Sequence, residues 1–206
     1  PWSEGYPGWH IECSAMAMEY LGNTLDIHTG GEDNIFPHHE AEIVQSEGVT
    51  DEPFVRYFAH TRHMLVDGTK MSKSKGNFYV LEDLIARGYT PMDFRMLLTS
   101  AHYRSQMNFT WESLEQAKKN KETLFAIMDR LESLPVAENV SGFDGAESLD
   151  AIRTAIQDDL GTPEALAITL ELVRKVNASI DGNTPVNVTA LKSVLETIFP
   201  LFGLAP

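Results

Sequence analysis

The chain has 206 residues, 43% of them hydrophobic and 22% charged, which excludes a wholly disordered, collagenous or disulfide-stapled protein. Sixteen basic against thirty acidic side chains give a net charge of −14, so there is no global basic footprint for nucleic acid, and any polyanion has to be met locally. The single cysteine, Cys13, forbids an internal disulfide, and neither a signal pattern nor an apolar run of the roughly 20 residues that a membrane span needs is present, so a cytoplasmic protein without a membrane partner is expected.

The chain opens on Pro1 in what reads as the middle of a domain, so a piece of a longer chain is expected. Over residues 1–66, short apolar runs at 24–27 and 54–59 alternate with helical stretches near 14–21 and 36–46, which predicts α/β structure. A strand over 25–29 would place Gly30, Gly31, Glu32 and Asp33 at its carboxyl end, where α/β sheets hold ligands. A nucleotide ribose could bond Asp33 and lie against the glycine backbone, and an ordinary strand-to-helix turn fits the same residues. Asp67-Gly68 then marks a tight turn, followed by the loop Lys70-Met71-Ser72-Lys73-Ser74-Lys75-Gly76-Asn77.

From Leu81 onward the strand signals stop and helix punctuation takes over. Thr90-Pro91 and Thr162-Pro163 each place an N-cap candidate before a proline. Apolar residues at 111, 114, 117, 124, 128 and 131 follow the helical period, with Lys121 interrupting the stripe. Residues 135–147 read as a connection, and two further stripes follow: Leu166, Leu170, Val173, Val176, Ile180, and then Leu191, Leu195, Ile198, Phe202. Two or three such helices are expected to form an incomplete bundle with apolar faces in need of partners. The division predicted is 1–77, 78–134, a linker at 135–147, and 148–206.

Two groups of residues carry chemistry. His38 and Glu42 stand four apart on a predicted helix, hence on one face, and Cys13 precedes a different helix; thiolate, imidazole and carboxylate are all zinc ligands, and three of them leave an open fourth position. A buried free cysteine beside a solvated acidic helix face fits the same pattern. His38-His39-Glu40-Ala41-Glu42 lacks the second histidine of the zinc-hydrolase helix, because Ile43 stands in its place, so a metalloprotease is disfavoured. The loop 70–77 holds three lysines and no acid in an otherwise acidic chain: Lys70 and Lys73 can set ammonium groups on phosphate oxygens, and Ser72 and Ser74 add hydroxyl donors. A solvated lysine turn is the alternative, and no Walker sequence occurs.

Lys70-Met71-Ser72-Lys73-Ser74 resembles the signature of class I aminoacyl-tRNA synthetases, and Gly8-Trp9-His10-Ile11-Glu12-Cys13-Ser14 with Phe36-Pro37-His38-His39-Glu40 resembles the cysteinyl-tRNA synthetase family in particular. The likeness continues through His102-Tyr103-Arg104-Ser105-Gln106, Asp158-Asp159 and Thr162-Pro163-Glu164-Ala165, with Thr29 and Gly161 departing from the family's usual forms. It implies an α/β fold followed by an all-α part: the second half of a Rossmann-like catalytic domain up to the lysine loop, a stem-contact segment, and part of a helical tRNA-binding domain. The resemblance makes Cys13, His38 and Glu42 three ligands of an active-site zinc that binds the substrate thiol; the fourth ligand and the His-x-Gly-His segment belong before residue 1, so the chain alone is expected to be inactive.

The activity implied is ATP-dependent ligation of L-cysteine to tRNA(Cys) through a cysteinyl-adenylate, with Mg2+ accompanying ATP. Lys73 and Lys70 would stabilise the leaving pyrophosphate, Gly30, Gly31 and Asp33 would hold the adenosine, and Trp9 and His28 would line the amino-acid pocket. Arg104 and the stretch 118–121 are candidates for local tRNA contact or for a solvated helix face, and a monomer is expected at full length. Two other readings are a cysteine:amino-sugar ligase of mycothiol synthesis, against which the helical tail speaks, and a non-catalytic zinc- or nucleotide-binding module. Faces left bare by a missing front half are expected to favour association.

Overall fold

The N-terminal part of the chain folds as the alternation predicts. In a computed structural model, which describes residues 4–5, 8–135 and 142–204, helix α1 (His10–Leu21) is followed by strand β1 (Leu25–Gly31), a tight turn at Glu32–Asn34, a wide turn at Ile35–His39, helix α2 (Glu40–Thr50) and strand β2 (Val55–Thr61). β1 and β2 pair in parallel, with Ile27 opposite Tyr57, His28 opposite Phe58 and Gly30 opposite His60. Because successive strand residues face opposite sides, His28, Gly30, Phe58 and His60 share one face, and Ile27 and Tyr57 lie on the other. Helix α1 begins three residues before Cys13, so Cys13 lies inside it and not ahead of it as predicted; Ser14 donates its hydroxyl to the His10 carbonyl across that first turn.

The chain divides into two compact units. One runs up to His63 and takes in Tyr103–Gln106; the other holds Met64–His102 and continues from Met107. The second unit opens with strands β3 (Leu65–Val66) and β4 (Thr69–Lys70), joined through Asp67 and Gly68, both in the left-handed region at φ 50° and 72°, which is the turn that the Asp-Gly pair favours. The lysine loop follows, then helices α3 (Leu81–Ala86) and α4 (Pro91–Thr99), strand β5 (Asn108–Phe109), and helices α5 (Trp111–Glu132), α6 (Ala146–Gln157), α7 (Thr162–Asp181) and α8 (Val188–Ile198). β5 corrects the expectation that strands end before Leu81: it pairs in parallel with β3, and two residues are too few to show alternation in sequence. Of the predicted linker, residues 136–141 lie outside the described residues.

Thr90 caps α4 as predicted, accepting the Asp93 N–H at 3.3 Å while Asp93 accepts the Thr90 N–H at 2.6 Å. Thr162 is itself the first helical residue of α7, and Gly161 takes the cap, because a Cβ there would sit 2.6 Å from the Ala155 carbonyl oxygen. The predicted stripes meet in one core: Leu114, Leu124 and Leu131 of α5, with Ile127, which the predicted stripe did not include, join Leu166, Val173 and Val176 of α7 and Leu191, Leu195 and Ile198 of α8. Helix α6, not anticipated as a separate element, adds Ile152 to that core. These helices therefore cover one another's apolar faces, contrary to the expectation, and bare apolar residues such as Trp9, Tyr20, Ile27, Phe36, Val49 and Tyr57 cluster in the first unit.

Lys121 interrupts the α5 stripe for a reason the periodicity hides. Its ammonium lies 2.5 Å from Asp93 Oδ1 and donates to Thr90 Oγ1 at 3.3 Å, so it neutralises a carboxylate that is wholly buried. Burial alone would raise the Asp93 carboxyl, but Lys121 and the two Thr90 donors outweigh it and hold it below the usual carboxylate range. Such a depressed group stabilises the fold above its unfolded pKa, and the contribution is lost as pH falls through the folded value, so it fades in acid below about pH 4. Replacing Lys121→Met strands the carboxylate and is expected to cost about 3–5 kcal/mol in a denaturant melt at neutral pH, with a smaller loss below pH 4; an equal loss at both pH values would show that the pair does not carry this stability.

Candidate functional site

The buried carboxylate of Glu42, in the first turn of α2, organises the first unit. Its Oε2 lies 2.8 Å from His28 Nε2 on β1, and its Oε1 lies 3.3 Å from His38 Nε2, one helical turn earlier in the chain. Cys13 approaches from α1: its sulfur, a His38 ring nitrogen and a Glu42 oxygen all lie within 4.8 Å of one another. A second set, His28, His39 and Glu42, satisfies the same distance and shares the carboxylate. The two helices that bring these groups together are tied by Gln45, whose Nε2 lies 2.7 Å from His10 Nδ1 and whose Oε1 accepts the Ser14 hydroxyl at 3.0 Å.

Burial and neighbouring charge shift two groups of this cluster. Burial, then the charge and hydrogen bond of Glu42 and the charge of Glu12, push the Cys13 thiol up, so without a positive partner it keeps its proton at neutral pH. Burial lowers His39, and His28, His60 and His38 lower it further against the opposing charge of Glu42, which keeps its imidazole neutral. A thiol, an imidazole and a carboxylate converging at this distance match the ligand chemistry of zinc. Trp9 stands edge-on to His38, ring centroids 5.9 Å apart, and is largely exposed.

Sequence reasoning missed His39 and His60. Their nitrogens lie 2.8 Å apart, and both rings stack on Phe58, at centroid distances of 5.5 Å each. The signal lies in the period-two spacing of His28, Gly30 and of Phe58, His60, which becomes informative only when the register of β1 against β2 is known. Gly30 is explained by the same face: a Cβ there would sit 2.6 Å from the His39 ring, within the strand that continues through Gly31. Asp33 lies in the turn that follows, largely exposed, with Oδ1 3.4 Å from His63 Nε2.

The lysine loop belongs to the second unit. After Lys70, the end of β4, Lys73–Lys75 form a single tight turn closed by Gly76 in the left-handed region, and Lys73 Nζ lies 5.2 Å from the centre of the Phe78 ring. Ser72 and Ser74 bond each other through their hydroxyls at 2.7 Å. Of the basic stretch on α5, Lys118 stands 5.5 Å from the Tyr89 ring and Lys119 pairs with Glu115 at 3.8 Å, so with Lys121 bound to Asp93 every lysine of the stretch has a partner within the fold.

Residues 1–119 match the family of tRNA synthetases class I (C) catalytic domains, and residues 151–205 match the DALR domain. The chain belongs to the class I (C) tRNA synthetases. It is 49% identical over 205 residues to a cysteine–tRNA ligase of Koribacter versatilis, covering 97% of this chain and 41% of the relative, and 47% identical over 220 residues to one of Chlamydia muridarum, covering 100% and 46%. The chain thus spans less than half the length of these relatives. Among solved structures it resembles a LeuRS of Agrobacterium radiobacter K84, determined in a ternary complex with tRNA and LeuAMS, with a TM-score of 0.61, 15% identity, and coverage of 88% of this chain and 27% of that one; the likeness is one of fold. No helix among the described residues is long and apolar enough to cross a membrane.

Gly30→Ala drives a methyl group into the His39 ring and is expected to destabilise the first unit by about 1–3 kcal/mol, with displacement of the His39 and His60 ring resonances in an NMR spectrum; unchanged histidine resonances would contradict the packing described.

Proposed function

We propose that this chain is the zinc-binding and lysine-loop portion of an enzyme that joins L-cysteine to tRNA(Cys) at the expense of ATP. The observation that supports it most is the convergence of Cys13, His38 and Glu42 within 4.8 Å in a chain of this synthetase family. The division proposed is a catalytic part over 1–77, a stem-contact segment over 78–134, a connection at 135–147 and a helical tRNA-binding part over 148–206. The complete protein is proposed to be cytoplasmic and monomeric.

In the reaction proposed, the carboxylate of cysteine attacks the α-phosphorus of ATP, the bond to the β-phosphate breaks, and pyrophosphate leaves with its magnesium. The terminal ribose hydroxyl of tRNA then attacks the carbonyl of the cysteinyl-adenylate and AMP departs. Lys73 and Lys70 hold the phosphate oxygens as negative charge moves onto pyrophosphate, a role commonly worth about 3–4 kcal/mol of barrier. Gly30 and Gly31 hold the adenosine through their backbone groups, the side-chain position of Gly30 being filled by the His39 ring, and Asp33 accepts from the ribose hydroxyls. Trp9, edge-on to His38, and His28 line the amino-acid pocket in this reading, and His28 holds Glu42 through its 2.8 Å bond.

Cys13, His38 and Glu42 would hold the zinc. Zinc bound there supplies a soft Lewis acid that takes a thiolate far better than a hydroxyl, which separates cysteine from serine where packing alone offers only about a hundredfold. The protein's own part is to keep the donors oriented, with the buried Glu42 fixed from both sides.

Elemental analysis of the purified chain is expected to find about one zinc per chain, lost in Cys13→Ala with the melting profile of the second unit unchanged. In the complete protein, Lys73→Ala is expected to slow cysteine-dependent exchange of pyrophosphate into ATP by about 10²–10³-fold. Transfer of cysteine to an amino sugar but not to tRNA would overturn the reading, as would zinc content indifferent to Cys13.

A further inference from the structure

Asn77, at the end of the lysine loop, directs its whole amide back across that loop. Its Oδ1 accepts the Ser72 N–H at 2.9 Å, and its Nδ2 donates to Thr69 Oγ1 at 2.9 Å and to the Lys70 carbonyl at 3.3 Å. Both N–H donors and the carbonyl oxygen of the amide are thereby engaged. The three bonds run from the last residue of the loop to its first residues, so a side chain closes the stretch that leaves β4, in place of a strand ladder. Thr69 is fixed in turn, since its hydroxyl also lies 3.2 Å from the Val66 carbonyl oxygen.

The same stretch is anchored on its other side by Met71. That side chain packs on the core of the second unit and lines an apolar cavity of about 180 Å³ with Met64, Val66, Tyr79, Leu84 and Phe109. Between these two anchors lies only the turn Lys73–Lys75, ended by Gly76 at φ 69°. The lysines that would meet phosphate therefore sit at the base and within the turn that Asn77 closes. A loop already closed loses less conformational freedom when an anion binds than one that must close around it.

We propose that Asn77 is the positioning residue of the lysine loop: by clasping Thr69, Lys70 and Ser72 it sets where the Lys70 and Lys73 ammonium groups meet the phosphates of a nucleoside triphosphate. This rests on the reading of the loop as a polyphosphate site. Asn77 touches no phosphate itself; it acts through the backbone and side chains it holds. A neighbouring asparagine supplies the contrast, because Asn108 accepts the Gly68 N–H at 2.7 Å and so braces the β3–β4 turn without reaching the loop.

The test is calorimetric titration of the full 206-residue chain with inorganic tripolyphosphate, well below the melting temperature of every variant. The unaltered chain is expected to bind, Lys73→Ala to bind far more weakly, and Asn77→Ala to lose about tenfold in affinity. Thr69→Ser keeps the hydroxyl and is expected to keep the affinity; Thr69→Val is expected to weaken binding alone yet add little to Asn77→Ala, because both cut the same clasp. Asn108→Ala is expected to lower the melting temperature and leave the affinity alone. Unaltered affinity in Asn77→Ala would overturn the clasp while leaving the phosphate loop standing, and so would a loss confined to melting temperature. Absence of binding by the unaltered chain, or binding indifferent to Lys73, would remove the phosphate reading itself and the clasp with it.

Discussion

A carboxylate taken out of water is the constraint on which the first unit is built. Glu42 is buried, and an ionised group in that position is tolerated only when its oxygens are met by donors or a cation. His28 and His38 meet one oxygen each, His28 from a strand and His38 from the turn before the helix, so the carboxylate fixes the distance between β1 and α2. Gln45 repeats the pattern one turn further along the helix, joining α2 to α1 through His10 and Ser14. Cys13 reaches Glu42 because those polar bonds seat α1, and the thiol is a consequence of that seating as much as a cause of it.

The second unit answers the same difficulty differently. Asp93 is also buried, but a lysine on another helix and the Thr90 cap surround it, and a large apolar core encloses the whole arrangement. Here the ion pair locks α4 to α5 and leaves no ligand position open. The two buried carboxylates differ in their partners: a lysine that completes the charge balance in one case, and a sulfur and imidazole rings in the other.

Much of this was legible in the residues. The 3.6-residue stripes located α5, α7 and α8, the Asp-Gly pair located the turn between β3 and β4, and the types and spacing of Cys13, His38 and Glu42 pointed to one cluster. What stayed hidden depends on partners distant in sequence. His60 faces His39 only because the parallel register puts it opposite Gly30, and Lys121 looked like a break in a stripe until Asp93 stood opposite it. The two residues of β5 carry no period at all. Asn77 reads as loop filler in sequence, since its role lies in three bonds to backbone and hydroxyl groups that composition does not reveal.

The interior of the first unit has a thermodynamic consequence. Its buried apolar side chains among the described residues are Leu25 and Phe54, while Ser14, His39, Glu42 and Ser46 make up the rest of its buried set. An interior of that kind draws little from the hydrophobic effect, whose contribution scales with apolar area removed from water. A cation bound at the shared carboxylate would then act as the missing core: its binding free energy becomes folding free energy, rising by about 1.4 kcal/mol for each tenfold excess over its dissociation constant. The order of this unit would follow the free metal concentration of its surroundings, while the second unit, held by its own packing, would be indifferent to it.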